Sequence, residues 1–482
     1  MARRSPSSRP AWENPLVARY ASEAMLRVVS DDFKYTTWRK LWVALAEAQR
    51  SLGLSISKRQ IAALRRRIGD VDYRAAARYE HRFRHDVMAH LNAFGDQAPG
   101  AKGILHLGAT SAYVTDNAEL IQAREALGLI EARLLDEMRA LRDFARRHRS
   151  LPALAYTHFQ PAQPTTVGKR ACLWLQDLVM DFRALEHLAS QTAFLGVKAA
   201  TGTQASFLAL FKGSHAKVKA LDAKVARAFG FPKVFSVSGQ TYTRKWDYIM
   251  ASALSGIAQS AAKLANDVRL LQGLGELEEP FGREQVGSSA MPYKRNPMRS
   301  ERLSSLARFT MVLAENTAHT AAGQWLERSL DDSANRRLVL PQLFLTADAM
   351  LVLMRNIVAG LAANREVIAA RLREDAPFMA TEGILMAAVK KGGSRQVLHE
   401  KLRRHAMAAR MRVRQGEPSD LLERIASDES FPLGRREIEA LTHPRHLVGR
   451  APEQVSEFLR SEVEPILRKH RRRKAQKADV SV

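Results

Sequence analysis

Residues 118–144 read A-E-L-I-Q-A-R-E-A-L-G-L-I-E-A-R-L-L-D-E-M-R-A-L-R-D-F. Apolar side chains recur at Leu120, Leu127, Ile130, Leu134, Met138, Leu141 and Phe144, in steps of three, four and seven. That spacing lines them along one stripe of an α-helix. Pro152 closes the region. The same period runs from Trp246 through Ile249, Leu254, Ile257, Leu264, Val268 and Leu271 to Leu274. It returns over 302–326 and 335–361. Helices of about 25 to 30 residues reach roughly 40 Å. Four or five of them must bury their stripes on one another as an elongated bundle. The predicted fold class is all-α.

Shorter helical runs precede this region, at Trp38–Leu52, Lys58–Ile68 and Tyr73–Phe94, with breaks at Gly95, Gly100, Gly103 and Gly108. Beyond residue 364 the pattern shortens again, broken at Pro377, Gly392-Gly393, Pro432 and Pro444. At 482 residues the chain exceeds one compact core. Three helical domains are expected: 1–110, a central long-helix bundle over 111–363, and 364–482 ending in a basic tail. Strand signals are few; Leu208–Phe211 and Val234–Val237 read as minor strands or loop.

Composition narrows the setting. The single cysteine, Cys172, excludes an internal disulfide framework and points to a reducing, cytoplasmic compartment. Met1–Pro10 has no apolar segment of the secretory kind. The apolar stretch Val339–Ala363 is interrupted by Gln342, Asp348, Arg355 and Asn356, which argues against a membrane span. The net charge of +25 raises nucleic-acid binding as a function class. Much of it is scattered, as in Arg65–Arg67 and Arg146-Arg147. The dense run is Arg468, Lys469, His470, Arg471, Arg472, Arg473, Lys474 and Lys477. With no zinc-finger spacing or aromatic RNA-binding motif beside it, this run reads as a solvated tail. Weak, salt-sensitive polyanion binding is the alternative.

Chemistry concentrates near predicted helix ends. Residues Gly287–Glu301 read G-S-S-A-M-P-Y-K-R-N-P-M-R-S-E. Gly287, Ser288 and Ser289 allow close backbone approach to a ligand. Tyr293, Lys294, Arg295 and Asn296 form an anion clamp between Pro292 and Pro297. A mobile serine pair beside such a clamp reads as a lid over an acidic substrate. His158 lies in T-H-F-Q-P-A-Q-P (157–164) on a proline-pinned loop before a helix opening near Thr165 and Thr166. It suits general-acid work near neutrality, or a structural role. Thr110 and Ser111 precede the first long helix, where Ser111 or Thr115 is either an N-cap or part of an anion site. Arg84-His85-Asp86 lies on a helical run and also reads as a surface ion pair. Gly239–Lys245 reads as a polar cap. The connector Glu327–Arg337 reads as a turn capped by Asp332 or Ser333.

The Gly287–Glu301 string closely resembles the signature loop of the fumarase/aspartase superfamily, in the form carried by adenylosuccinate lyases. The histidine segment resembles that family's histidine motif. The order and content of the other segments agree, from Asn14–Ala21 to Pro377–Glu382 and Gly392–Gln396. The resemblance thus covers nearly the whole chain except the first ten residues and the basic tail. It implies β-elimination of fumarate from adenylosuccinate and from succinyl-aminoimidazole-carboxamide ribotide, with no cofactor and no metal. It implies Ser288 as general base, His158 as general acid, Glu301 as the residue orienting that histidine, and Lys294 with Asn296 on the carboxylates. Thr110, Ser111 and Gln240 would hold the succinyl part. Arg19, Tyr20, Arg302, Arg328, Ser333 and Arg337 would hold the phosphate and nearby groups, while Arg84, His85 and Asp86 complete the site. The substrate carries roughly four negative charges at pH 7, and bidentate arginines suit them. The resemblance further implies a homotetramer whose sites are shared between subunits.

Two other readings stand beside it. Another superfamily lyase, acting on argininosuccinate, aspartate, malate or a carboxymuconate, would share Ser288, Lys294 and Asn296 but lack the phosphate-binding arginines. A basic polyanion-binding protein on a lyase fold would show no turnover.

Overall fold

The computed structural model describes residues 11–475, so Lys477 of the basic run lies outside the described residues. After a π-helical turn over Leu16–Tyr20, five α-helices follow: α1 (Glu23–Val28), α2 (Asp31–Ser51), α3 (Lys58–Arg65), α4 (Tyr73–Phe83) and α5 (Asp86–Asp96). The long helix α6 (Ser111–Arg147) is followed by a hairpin of β1 (Pro152–Thr157) and β2 (Gln160–Thr166). Next are α7 (Val167–Gln191), α8 (Ala205–Leu210), α9 (His215–Ala228) and α10 (Lys245–Gly273). Strand β3 (Leu277–Glu278), α11 (Met298–Ala322), α12 (Asp332–Gly360) and β4 (Ala362–Ala363) complete the bundle region. The remainder is α13 (Arg365–Met379), α14 (Thr381–Lys390), α15 (Arg395–Arg414), α16 (Leu421–Ala426), α17 (Arg435–Leu441), α18 (Pro444–Leu447), α19 (Ala451–Phe458) and α20 (Glu464–Lys469).

The long helices α6, α7, α10, α11 and α12 form a closed ring, each packed on the next and α12 returning to α6. The apolar stripes explain it. Leu120, Ile130, Leu134, Met138 and Leu141 of α6 are completely buried, as are Leu254, Ile257, Leu264 and Val268 of α10. Each such side chain contributes about 1.5–3 kcal/mol by leaving water. Helices α6, α10 and α12 start at one end of the bundle, where Arg244 pairs with Asp116 and Asp332. They finish at the other, where β3 pairs with β4 and Tyr156 meets Glu276. Helices α7 and α11 run back. The stretch of α12 that is apolar enough to cross a membrane is 72% buried inside the bundle. It is a core helix, not a span.

One hydrophobic cluster extends from Leu16 to Leu467 and includes Val455, Leu459 and Val463. A second, over Ala380–Ile438, gathers Ile384, Leu398, Leu402, Leu421 and Ile425.

Several local expectations need correction. The run Tyr73–Phe94 is two helices, because Arg84 takes a left-handed conformation (φ 53°) that ends α4. Leu208–Leu210 is helical, held within α8 by packing of the buried Phe207. Only Val234 of its neighbour makes an isolated bridge, with Phe194. The loop around His158 is a true hairpin. The described part of the basic run is exposed to solvent as expected, and it is also paired: Arg473 with Glu131 (2.9 Å), Lys469 with Glu186 (2.5 Å), and Arg139 Nη2 donates to the carbonyls of His470 and Arg473. Acids on α6 and α7 strap it down, which the charge count alone could not reveal.

Glu137 of α6 is fully buried, and neither carboxylate oxygen has a hydrogen-bond partner. Burial pushes its pKa up to about 8, against the weaker pull of Arg355. The folded state therefore holds a proton that the unfolded chain releases above the ordinary carboxylate range. Stability falls as pH rises from there to about 8, by roughly 1.4 kcal/mol per pH unit at most. Glu137→Gln is expected to remove this decline and be more stable than the wild type at pH 8. Urea unfolding at pH 5 and pH 8 checks it; parallel pH dependences would show the carboxyl ionised in the fold.

Candidate active site

At the end where α6, α10 and α12 begin lies a cavity of about 730 Å³. Its floor is a buried charge network. Arg244, at the start of α10, reaches Asp116 of α6 (2.8 Å) and Asp332 of α12 (2.6 Å). Arg336 of α12 reaches Asp247 of α10 (2.8 Å) and Glu119 of α6 (2.6 Å). The Tyr242 hydroxyl donates to Asp247 (2.7 Å) and accepts from Arg336 (2.5 Å). Burial works against both guanidinium charges, but Asp116 at Arg244 and Asp247 at Arg336 outweigh it and raise their pKa values. Burial also opposes ionisation of Asp332, yet Arg244 and Arg328 hold its carboxyl below the usual range.

Above this floor the structure gathers Arg84, His85, Asp86, Ser111, Arg328, Ser333 and Arg337 around the same cavity. The break between α4 and α5 does this for three of them. Arg84 is the left-handed cap of α4, His85 the N-cap of α5 and Asp86 its first residue, so they lie at a helix junction rather than on a continuous run. Asp86 receives Arg337 at 2.9 Å. Neither Ser111 nor Thr115 caps α6. Thr110 occupies the N-cap position without a side-chain cap bond, which leaves this helix start open to an anion. Nor do Asp332 and Ser333 cap α12; Asp331 stands there, and Asp332 is committed to arginines. Gln240 is tied in beside them: its backbone N–H donates to Glu327 O (3.0 Å) and its side chain to Ala200 O (3.0 Å). Gly239 makes that approach possible, since a Cβ there would stand 2.4 Å from Glu327 O.

The signature loop is at the opposite end. Ser288 Oγ accepts from the backbone N–H of Met291 (3.1 Å) and Ala290 (3.4 Å). Asn296 closes the loop by donating to Gly287 O (2.7 Å). A Cβ on Gly287 would lie 2.2 Å from Lys294 O, so only glycine fits. Lys294 is exposed, as is Glu301 in the first turn of α11. The buried Glu279 fixes that helix start by accepting from Arg299 N, Ser300 N and Ser300 Oγ. Arg302 lies over the Tyr20 ring at 6.0 Å, next to Arg19. His158 is at the exposed tip of the β1–β2 hairpin at this end too. Neither His158 nor Glu301 makes a side-chain hydrogen bond or ion pair among the described residues.

The candidate residues thus form two separate sets in one chain. About 32 Å of α11 lies between Glu301 and the Arg328 connector, and about 55 Å of α6 between Ser111 and the hairpin. What sequence reasoning missed is the network of Asp116, Glu119, Tyr242, Arg244, Asp247, Asp332 and Arg336. A signal existed: Asp116 and Glu119, Arg244 and Asp247, and Asp332 and Arg336 are charged pairs one helical turn apart.

The family model for lyases matches residues 28–311, and the model described as the adenylosuccinate lyase C-terminus matches 377–458. Adenylosuccinate lyase of Saccharomyces cerevisiae is 48% identical over 462 residues, covering 94% of this chain and 96% of the yeast protein. The Schizosaccharomyces pombe enzyme is 46% identical, covering 95% and 96%. The chain belongs to the adenylosuccinate lyase family. It is a fumarate-releasing carbon–nitrogen lyase. Adenylosuccinate lyase of Schistosoma mansoni is 44% identical, covering 95% and 96%. This lyase also shares its fold with a 3-carboxy-cis,cis-muconate lactonizing enzyme from Pseudomonas putida (TM-score 0.82, 23% identity, covering 94% of this chain and 99% of that one). A fumarate lyase from Mesorhizobium sp. BNC1 is similar (TM-score 0.80, 23% identity, covering 94% and 100%).

The floor network supplies a prediction. Arg336→Ala leaves Asp247 and Glu119 uncompensated and should lower stability by about 3–5 kcal/mol. Arg337→Ala, whose side chain is 59% exposed, should cost less than about 1 kcal/mol while raising KM. Urea denaturation of both variants beside steady-state kinetics measures this; equal stability losses would deny the network its structural role.

Proposed function

We propose that this lyase eliminates fumarate from adenylosuccinate, giving AMP, and from succinyl-aminoimidazole-carboxamide ribotide, in a reducing, cytoplasmic compartment. The observation that carries the reading is full-length identity of 44–48% to three adenylosuccinate lyases. It also favours this activity over other superfamily lyases and over a pure polyanion binder.

Ser288 removes the proton from the carbon next to a succinyl carboxylate. The electron pair forms the new C=C bond as the C–N bond breaks, and His158 protonates the departing nitrogen from the opposite face. The serine is a weak base in water. Two backbone N–H groups aimed at its oxygen favour the alkoxide, as does the neighbouring Lys294 charge once the lid excludes water. Lys294 and Asn296 meet the dianionic aci-carboxylate, and Glu301 orients His158. Thr110, Ser111 and Gln240 hold the succinyl portion. Arg19, Tyr20, Arg302, Arg328, Ser333 and Arg337 hold the nucleotide phosphate and its surroundings, with Arg84, His85 and Asp86 completing the pocket.

These roles require the two sets of residues to meet, and rigid helices keep them apart in one chain. The proposal therefore includes a homotetramer in which different subunits complete each site. Leu173 and Met180 of α7, Ile249 and Leu270 of α10, Phe309 and Val312 of α11, and Leu338 of α12 are exposed on the bundle and suit burial in such an assembly. Division into helical domains at 110/111 and 363/364 belongs to the same proposal.

Two experiments test it. Ser288→Ala and His158→Ala should each lower kcat by about 10²–10⁴-fold, read as the absorbance change on conversion of adenylosuccinate; near-normal turnover removes that residue from the chemistry. Co-refolding one cavity-end variant, Arg337→Ala, with Ser288→Ala should restore part of the activity, because hybrid assemblies contain sites with both groups intact. A fully active monomer at nanomolar concentration would contradict shared sites.

A further inference from the structure

The hairpin that carries His158 is poorly held by its own backbone. Its turn spans Thr157 to Gln160, with His158 (φ 54°) and Phe159 (φ 57°) both in the left-handed region. Two-residue hairpin turns of this kind favour Asn-Gly or Gly-Gly, because other side chains are strained there. The pairing register also slips between Leu154 and Tyr156, immediately behind the turn. Pro161 and Pro164 in β2 have no N–H to donate to the ladder. A strained turn on a slipped, proline-interrupted ladder needs an anchor outside the hairpin.

The anchor is Glu276. This residue, 1% exposed, follows α10 and is itself fixed: its N–H donates to Leu271 O (2.9 Å) and its carbonyl accepts from Asn364 N (3.0 Å). Its Oε1 accepts from the Tyr156 hydroxyl at 2.7 Å. Arg371 of α13 stands 3.2 Å from the carboxylate and Arg170 of α7 3.6 Å. Tyr156 is two residues from His158. We infer that Glu276, acting through the Tyr156 hydroxyl, is the positioning residue that fixes the His158 turn for proton delivery. The carboxylate touches no reacting atom. It transfers the rigidity of α7, α10 and α13 to an imidazole that makes no hydrogen bond of its own among the described residues. This inference rests on His158 being the general acid.

The test uses full-length Tyr156→Phe, which deletes one oxygen from a half-buried ring, alongside Glu276→Gln and His158→Ala. With the turn released, kcat in Tyr156→Phe should fall about tenfold to a hundredfold, as for a reacting group displaced by about 1 Å. KM should stay within about threefold, and thermal unfolding should match the wild type. The alkaline limb of the kcat–pH profile, where the general acid loses its proton, should also move. Wild-type kcat and pH profile in Tyr156→Phe would overturn the inference. So would a fall in kcat that accompanies lost thermal stability with the pH profile unmoved, since that marks a merely structural bond. Should Glu276→Gln not fold, Tyr156→Phe decides alone. Wild-type kcat in His158→Ala would instead sink the general-acid reading beneath it.

Discussion

Two buried arginines, Arg244 and Arg336, hold the bundle at the end where its three parallel helices begin. Between them they contact Asp116, Glu119, Asp247 and Asp332, so that α6, α10 and α12 are locked in one relative register. Buried charge gains little stability over a well-packed apolar core, because desolvation offsets most of the attraction. Its effect is on geometry. A guanidinium donates to carboxylates best in the plane of its fork, so sliding one helix leaves a charge unpaired in the interior. Leu and Ile contacts along the rest of the ring tolerate such shifts far better.

That register matters because the cavity rests on it. Arg328 and Arg337 project from the connector and first turns of α12, and Arg328 shares Asp332 with the buried network at 2.9 Å. The arginines proposed to bind the phosphate are thus built directly on the charge-paired floor. The opposite end uses a different device. There a glycine that no other residue can replace, an asparagine closing the loop and a buried glutamate capping α11 shape the Ser288 turn. One end is fixed by ion pairs that exclude water, the other by a loop open to solvent. This contrast supports the proposal of a preformed pocket in one subunit completed by a loop from another.

Much of the fold was legible from sequence. The stripe at Leu120, Ile130, Leu134 and Leu141 predicted α6, and the corresponding runs placed α10, α11 and α12 within a few residues. Where the reading failed, tertiary contacts had overridden local pattern. Proline-rich Gln160–Thr166 looked like loop but pairs with β1, because its edge position and side-chain anchors make up for missing ladder donors. Tyr73–Phe94 looked continuous, yet no periodicity marks a left-handed arginine. The described part of the basic tail is exposed, as read, but its pairing with acids more than 280 positions earlier, at Glu131, Asp136 and Glu186, was not legible.

The sequence by itself determined the helical class, the positions of the long rods and the chemical inventory of the candidate site, from Ser288 and His158 to the arginines. These are local properties: a stripe, a motif and a charge are complete within a few turns of chain. Only the tertiary structure decided how the inventory is divided. It assembled Arg84, Ser111, Arg328 and Arg337 around one cavity and left Ser288, Lys294 and His158 at the far end. The reason is the stiffness of the helices between them, whose fixed rise per residue forbids one chain from bringing both sets together.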